Sequence, residues 1–449
     1  VVSQSQPTLA KEAEAFTAAG PPQSQLPEDY FPQLQGILDD ALRESPRMLL
    51  ARLDLDAADG DLTQARAGLY PSVSVYSRAL GTSDLRKDRP GETFNATKTF
   101  YDVSLSQPLF HWGERRNNAR IGAIHASIAE RNYAEGYRAL AREIRQGYLS
   151  LISLKSQLVG ARFSREQAEV VLQAAEERVK AGLITESELF GPQLGLARAQ
   201  LGEVSAESSF IAAREQFEVL TGAAAPTEAE LPDELPKVEP SAASTNDARL
   251  AEFLAKPELS TPALATLRQQ VDVAHLTYKN QKTRLRPKFS FVLGMSQDEQ
   301  SYTVNSAERY GVTSRYAGIQ VNWSIFDGLA TRGAVRSSLA RLRQSEARYA
   351  QAQSTASREA RAAARSLELA QRQMKIEDQL FDVTAGHLHI CKDDFAAGRI
   401  PRDVLDQAQA GYYAARSSAN TARLNFLMAQ VELLTKLDRD PLLAHLPKP

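Results

Sequence analysis

The chain has 449 residues, with 53 Lys and Arg against 55 Asp and Glu, for a net charge of −2. That balance offers no electrostatic reason to expect nucleic acid as a partner. Mean hydropathy is −0.36, and no stretch approaches the roughly 18 to 20 unbroken apolar residues that a membrane-spanning helix needs, so a membrane location requires a β-barrel. The single cysteine, Cys391, excludes an internal disulfide.

Residues 1–35, with Pro21, Pro22, Pro27 and Pro32, read as an extended segment. The chain starts at Val1, not Met, for which a removed signal peptide is one explanation and an artificial start another. Residue 1 is not Cys, so no N-terminal lipoprotein anchor is expected. A helix is expected over about 36–67, ending before Pro71, because proline cannot donate to the helix ladder and biases its predecessor toward extended backbone. The period then changes to two. Val73 and Val75 alternate with Ser72 and Ser74, and Tyr101, Val103 and Leu105 alternate with Asp102, Ser104 and Ser106. These patterns predict strands over about 71–81 and 98–109. A proline-free helical run follows over about 114–160, some 70 Å long at about 1.5 Å per residue. Another helix, a break near Gly182 and a further helix to about 221 complete the unit.

The segment 223–251, rich in Pro, Ala, Ser and Glu, reads as an extended linker. Beyond it the same order returns. A helix over about 257–285 stops before Pro287, and strands are expected over about 287–297 and 314–326. In these, Phe289, Phe291, Leu293 and Met295 alternate with polar residues, as do Ile319, Val321, Trp323 and Ile325. Long helices follow, with a break near Gly398. Pro46, Pro71, Phe110, Gly182 and Leu189 recur 216 positions on as Pro262, Pro287, Phe326, Gly398 and Leu405. The chain therefore reads as two copies of one unit, 36–222 and 252–438, with 439–449 as an irregular tail.

Strands of about ten residues with one apolar and one polar face suit a membrane barrel, lipid outside and water inside. Half of a soluble sandwich is the alternative reading of the strands. Steps of three and four through Leu194, Ala197, Leu201, Val204 and Ile211, and through Ala415, Ala419, Ala422, Phe426, Ala429 and Leu433, are coiled-coil-like. On their own these helices equally fit a soluble antiparallel coiled-coil scaffold. Four strands cannot close a barrel, and open edges cannot sit in lipid, so a membrane reading requires several copies to pool strands. Three copies would supply twelve.

The motifs LYPSVSV and LRPKFSF at the helix-to-strand junctions, SQPLFHWG and NWSIFDG at the strand-to-helix junctions, and AGLITESEL and AGRIPRDVL at the helical breaks resemble the TolC outer-membrane factor family over about 36–438. The resemblance implies an α+β membrane protein: a homotrimer whose twelve-stranded β-barrel, four strands per chain, continues into a long periplasmic α-helical coiled-coil barrel. It places the chain in the outer membrane of a Gram-negative bacterium, among outer-membrane lipid, with most of its length in the periplasm. It implies a passive duct, not an enzyme, docked to a periplasmic adaptor protein and an inner-membrane ABC exporter or proton-driven pump. No cofactor or metal is implied, and no Gly-rich phosphate loop followed by Lys and Ser/Thr is found. Type I protein secretion is the leading expectation, since many multidrug-efflux members are lipoproteins; small-molecule efflux is the alternative.

The resemblance assigns the periplasmic tip the functional role. Asp403 and Asp406 match the paired acids that ring the entrance, and their i, i+3 spacing puts both on one helix face. Threefold repetition would make an acidic collar that favours cations. The alternative is two solvated helix-start acids. Arg399 and Arg402 are placed to tie the closed tip through ion pairs. In the first copy Ser187, flanked by Glu186 and Glu188, stands where the second has Asp403. Gly182, Leu183, Gly398 and Arg399 match the segments that meet the adaptor, although plain turn chemistry also explains both glycines. His387, His389, Cys391, Asp393 and Asp394 cluster in sequence, but a packed helix face is the better reading than a metal site. Trp112 and Trp323, at strand ends, suit an interfacial aromatic belt or plain packing.

Overall fold

The computed structural model describes residues 26–85, 93–238, 243–255, 261–301 and 309–440. They form two compact units, one of which comprises Arg52–Tyr133 and Pro262–Gln353 and carries all the strands.

The described chain begins with α1 (Pro27–Tyr30), α2 (Pro32–Glu44) and α3 (Pro46–Ala67). Residues 27–30 and 32–35 are therefore helical rather than extended, while 1–25 lie outside the described residues. The single helix expected over 36–67 is interrupted at Ser45, which takes φ −61° and ψ 127°. Pro46 forces this, because its ring disfavours helical backbone at the preceding residue.

Four strands come in pairs: β1 (Ser72–Leu85) with β2 (Thr93–Phe110), and β3 (Lys288–Ser301) with β4 (Arg309–Asn322). They make one antiparallel sheet in the order β1-β2-β3-β4. The register sorts side chains by face. Val73, Leu105, Leu293 and Ala317 form one row across the sheet, and Ser74, Ser104, Gly294 and Tyr316 form the neighbouring row on the other face. The strands are longer than the expected ten residues, at 14, 18, 14 and 14. The hydrogen-bond ladder continues where apolar alternation fades, because backbone groups pair whatever their side chains are. At the other end, β4 stops at Asn322, opposite Lys288, so Trp323 and Ile325 lie past it. Pro287 has no N–H with which to extend the ladder. Among the described residues, β1 and β4 each pair on one side only.

Each strand pair leads into a 67-residue helix, α4 (Glu114–Lys180) and later α8 (Ala330–Ala396). At about 1.5 Å per residue each has roughly 100 Å of contour. The two helices expected between 114 and the Gly182 break are thus one, since an interior Gly160 weakens a helix without breaking it. After the breaks come a 3-10 turn (Glu186–Leu189) with α5 (Phe190–Thr221) in the first half, and α9 (Arg402–Lys436) in the second. Between the halves lie α6 (Ala243–Ala255) and α7 (Pro262–Lys282); residues 256–260 fall outside the described set.

The second unit has its core where α2, α4 and α9 supply buried residues such as Leu38, Leu140, Ile144, Tyr148, Phe426 and Leu427. Each such side chain contributes about 1.5–3 kcal/mol through removal from water. The expected linker at 223–251 is corrected by this unit. Ala225, Leu231, Leu235 and Val238 are buried, and the segment is strapped down by polar anchors. Lys155 donates to Asp233 at 2.7 Å and to the Leu231 carbonyl at 2.6 Å. Asn420 accepts from the Leu235 N–H at 3.0 Å, and Arg423 donates to the Leu235 carbonyl and to Asp378. Proline-rich composition signals the absence of helix and strand; it does not signal looseness. The tail, too, is held as far as it is described. The fully buried Arg145 binds both Glu28 and Asp440, and Arg138 binds Asp438 at 2.7 Å. Residues 441–449 lie outside the described set.

Candidate functional site

The two helical breaks close with the same backbone chemistry. In the first, the N–H groups of Ala181, Gly182 and Leu183 donate to the carbonyls of Glu177, Val179 and Arg178; in the second, Ala397, Gly398 and Arg399 donate to Asp393, Phe395 and Asp394. Gly182 has φ +69° and Gly398 φ +70°. These are left-handed helix caps, and glycine is present because a side chain would be strained there.

The two segments then diverge. Thr185 caps the first turn: its backbone and hydroxyl both reach Glu188, and its hydroxyl lies 2.9 Å from Ser187 Oγ. A 3-10 turn follows because Pro192 has no N–H to return to the Glu188 carbonyl, so the α-helix begins only at Phe190. In the second half Pro401 stands at the N-cap, and α9 starts at once with Arg402 and Asp403 in its first turn. There Ile400, Val404, Leu405 and Tyr412 pack against the buried Leu388, Cys391 and Ala408.

This local order decides where the predicted site residues stand. Asp403 and Asp406 share α9, one turn apart. Asp403 is exposed, and among the described residues no hydrogen bond or ion pair engages it. Asp406 is half-buried. Arg402 lies 3.7 Å from it along the helix. Gln167 of α4 faces it with its amide nitrogen 2.9 and 3.2 Å from the two carboxylate oxygens, the orientation an acceptor-only carboxylate requires. Arg399 turns to Asp394 at 3.3 Å instead of to either predicted acid. Gly182, Leu183 and Gly398 sit at the breaks, and Leu183 is 73% exposed, an apolar side chain presented to solvent at a turn.

Sequence reasoning missed three participants. The Thr185-x-x-Glu188 spacing is a capping-box signature and was available. Asp394 was visible in sequence but was read only as a neighbour of the histidines. Gln167 had no signal, since it meets Asp406 only through the packing of two helices. The His–Cys cluster is local: Cys391 Sγ lies 3.5 Å from His387 Nε2, and His389 pairs with Asp393 at 3.1 Å. Among the described residues, no three metal-ligating side chains converge. Asp233 and Tyr137 are two of the shifted groups in the unit that carries the breaks. Its hydrogen bond to Lys155 holds the Asp233 carboxyl below the usual range, while burial pushes the Tyr137 phenol up to about 12. Neither stands at the breaks.

The arrangement offers no nucleophile, base and orienting partner in sequence. It offers an exposed acid beside a tethered one, just past the left-handed cap at Gly398, with long helices behind them. Several known proteins share this architecture. The outer membrane channel CmeC of Campylobacter jejuni superposes with a TM-score of 0.70 at 14% identity, over 97% of this chain and 93% of its own. The outer membrane protein VceC of Vibrio cholerae does so with a TM-score of 0.67 at 15% identity, over 91% and 97%. In sequence, the alkaline protease secretion protein AprF of Pseudomonas aeruginosa is 24% identical over 432 residues, covering 91% of this chain and 85% of AprF. The outer membrane protein TolC of Vibrio cholerae is 24% identical over 151 residues, 33% of each chain. The family model described as outer membrane efflux protein matches residues 37–223 and 257–437. With most of its length matched, this chain belongs to the outer membrane efflux protein family.

Proposed function

We propose that this protein is the passive outer-membrane exit duct of a tripartite export system, and that it serves type I protein secretion. The observation that carries the secretion reading is coverage. The protease secretion protein AprF aligns with 91% of the chain, whereas the solvent efflux protein SrpC of Pseudomonas putida and the cation efflux protein CusC of Escherichia coli align with 38% and 36%. In the proposed assembly a homotrimer pools four strands per chain into a twelve-stranded barrel continued by a helical coiled-coil barrel. The one-sided pairing of β1 and β4 and the exposed apolar face of the sheet support this, because lipid tolerates only closed sheets. Descent of the two halves from one duplicated unit is supported by the two 67-residue helices and the matching caps, each pair 216 positions apart.

A periplasmic adaptor would engage the breaks at Gly182, Leu183, Gly398 and Arg399, and an inner-membrane ABC exporter would supply the energy. Asp403 and Asp406 would form the collar at the entrance, with Arg399 and Arg402 as its cationic neighbours. The exposure of Asp403 leaves it available to the pore, while Arg402 and Gln167 fix Asp406.

Deleting the gene in its host should trap a protein substrate inside the cell while leaving tolerance to small toxic compounds unchanged. Lost tolerance with secretion intact would replace the reading with efflux. Images of detergent-solubilised particles should show three copies around one barrel; a monomer extracted without detergent would instead support a coiled-coil scaffold. In bilayer recordings, Asp403→Asn with Asp406→Asn should reduce cation preference, and unchanged selectivity would remove the collar.

A further inference from the structure

The four strand–helix junctions all lie at one end of the sheet, because β1 and β3 start there and β2 and β4 finish there. The junction segments 64–70, 111–120, 279–288 and 323–336 together carry eleven Lys and Arg and only two acids, in a chain whose net charge is −2. Both acids are already engaged. Glu114 meets Lys288 at 2.6 Å, and Asp327 accepts from the Thr331 hydroxyl at 2.6 Å and its N–H at 2.9 Å. Arg115, Lys282, Arg284 and Arg286 are exposed. The protein's two tryptophans stand in the same zone. Trp112, at φ +54°, donates its indole N–H to the Pro287 carbonyl at 2.8 Å, and Trp323 donates to the Leu285 carbonyl at 3.0 Å. The Arg286 guanidinium lies 4.6 Å from the Trp112 ring centre. Beside them Phe110, Ile325, Phe326 and Leu329 are exposed.

We infer that this junction is a binding collar for anionic phospholipid, with Arg284 and Arg286 contacting headgroup phosphate beside Trp112 and Trp323. The inference rests on the barrel reading and adds to it a lipid charge and a leaflet, the one at the helical end of the sheet. Exposed apolar side chains and amphipathic indoles are the chemistry of a bilayer interface. They fit a lipid better than a soluble partner. The surplus of cations over acids selects a negative headgroup, and guanidinium groups match phosphate in geometry as well as charge.

The two tryptophans make the collar its own reporter. The full-length protein is reconstituted into phosphatidylcholine bilayers containing a small fraction of lipid brominated in its acyl chains, as phosphatidylglycerol or as phosphatidylcholine. Bromine quenches tryptophan on contact. Brominated phosphatidylglycerol should quench as though enriched on the order of fivefold over brominated phosphatidylcholine, the factor that one cation–headgroup attraction supplies. The enrichment should shrink in high salt with the unaltered protein and in the Arg284→Gln, Arg286→Gln double variant. Equal quenching by the two lipids overturns the inference while leaving the barrel intact. Absence of quenching even in bilayers made wholly of brominated phosphatidylcholine overturns the barrel reading itself. If poly-glutamate shifts the tryptophan emission and the two lipids quench alike, the collar is a protein-docking surface and the lipid assignment fails.

Discussion

Helices α5 and α9 follow the two breaks and carry the same three-and-four spacing of apolar residues, yet they meet different surroundings. On α9 the stripe is buried within the chain: Ala408, Ala419, Ala422, Phe426, Leu427 and Leu433 are covered, and Arg416, Asn420 and Arg423 are buried with them. On α5 only Phe210, Phe217 and Thr221 are buried, while Leu194, Leu201, Val204 and Val219 are between 52% and 78% exposed. The strap at 223–238 makes part of the difference, since its carbonyl and N–H groups at Leu235 are anchored on α9. A periodic apolar stripe thus states that a helix needs a partner, and leaves open whether the partner is in the same chain. An exposed stripe of this size marks an interaction surface, which is what a homotrimer would cover.

The largest effect should come from cutting the strap loose. Arg423→Ala leaves Asp378 half-buried without its guanidinium and the Leu235 carbonyl without a donor. Breaking such a buried pair costs about 3–5 kcal/mol. Denaturant unfolding should register that loss, and hydrogen exchange should show it concentrated in 223–238 and α9. A loss confined to other regions would break the comparison at its root.

Next come the exposed residues of α5. Leu201→Glu with Val204→Glu should leave the fold of a single chain intact, because neither side chain is covered within it. The proposed assembly should weaken by about 2 kcal/mol per lost apolar contact at each interface, read as a shift from the proposed trimer to monomer in sedimentation. An unchanged trimer would mean that α5 faces the pore or solvent in the assembly.

The breaks predict equality where the helices predict difference. Gly182→Ala and Gly398→Ala should each cost about 1 kcal/mol, since alanine is strained in the left-handed region that both glycines occupy. Thermal unfolding of the two variants should agree. A clearly larger cost at one break would show that its neighbours, not the backbone, hold that turn.

The smallest effect concerns pH. Lys155 holds the Asp233 carboxyl below its ordinary range. A depressed carboxylate contributes stability that is present above its unfolded value and is lost as pH falls through the folded one. Acid should therefore loosen the strap around Asp233. The group is largely exposed, so solvent screening keeps the effect small. Exchange at Leu231–Leu235 that rises with acidity, after correction for the intrinsic rate, would support the assignment; Asp233→Asn should remove that dependence.

Much of the architecture was legible because it follows from periods and punctuation that the chain carries locally. Alternation with period two placed four strands, prolines at 71 and 287 stopped helices, and glycines at 182 and 398 marked left-handed caps. The 216-position recurrence aligned one half with the other. The acids at 403 and 406 were legible as a one-turn pair for the same reason, since helix geometry alone sets their spacing.

What sequence could not decide were the choices made by groups brought together from far apart. Nothing in 223–238 announces that its proline-rich run will be buried, and no pattern links Gln167 to Asp406 or Arg145 to both Glu28 and Asp440. The physical reason is that helices and strands satisfy their own backbone groups through neighbours in sequence, so their pattern is written there. Buried charges and irregular backbone must find partners elsewhere, and the identity of those partners exists only once the chain has folded.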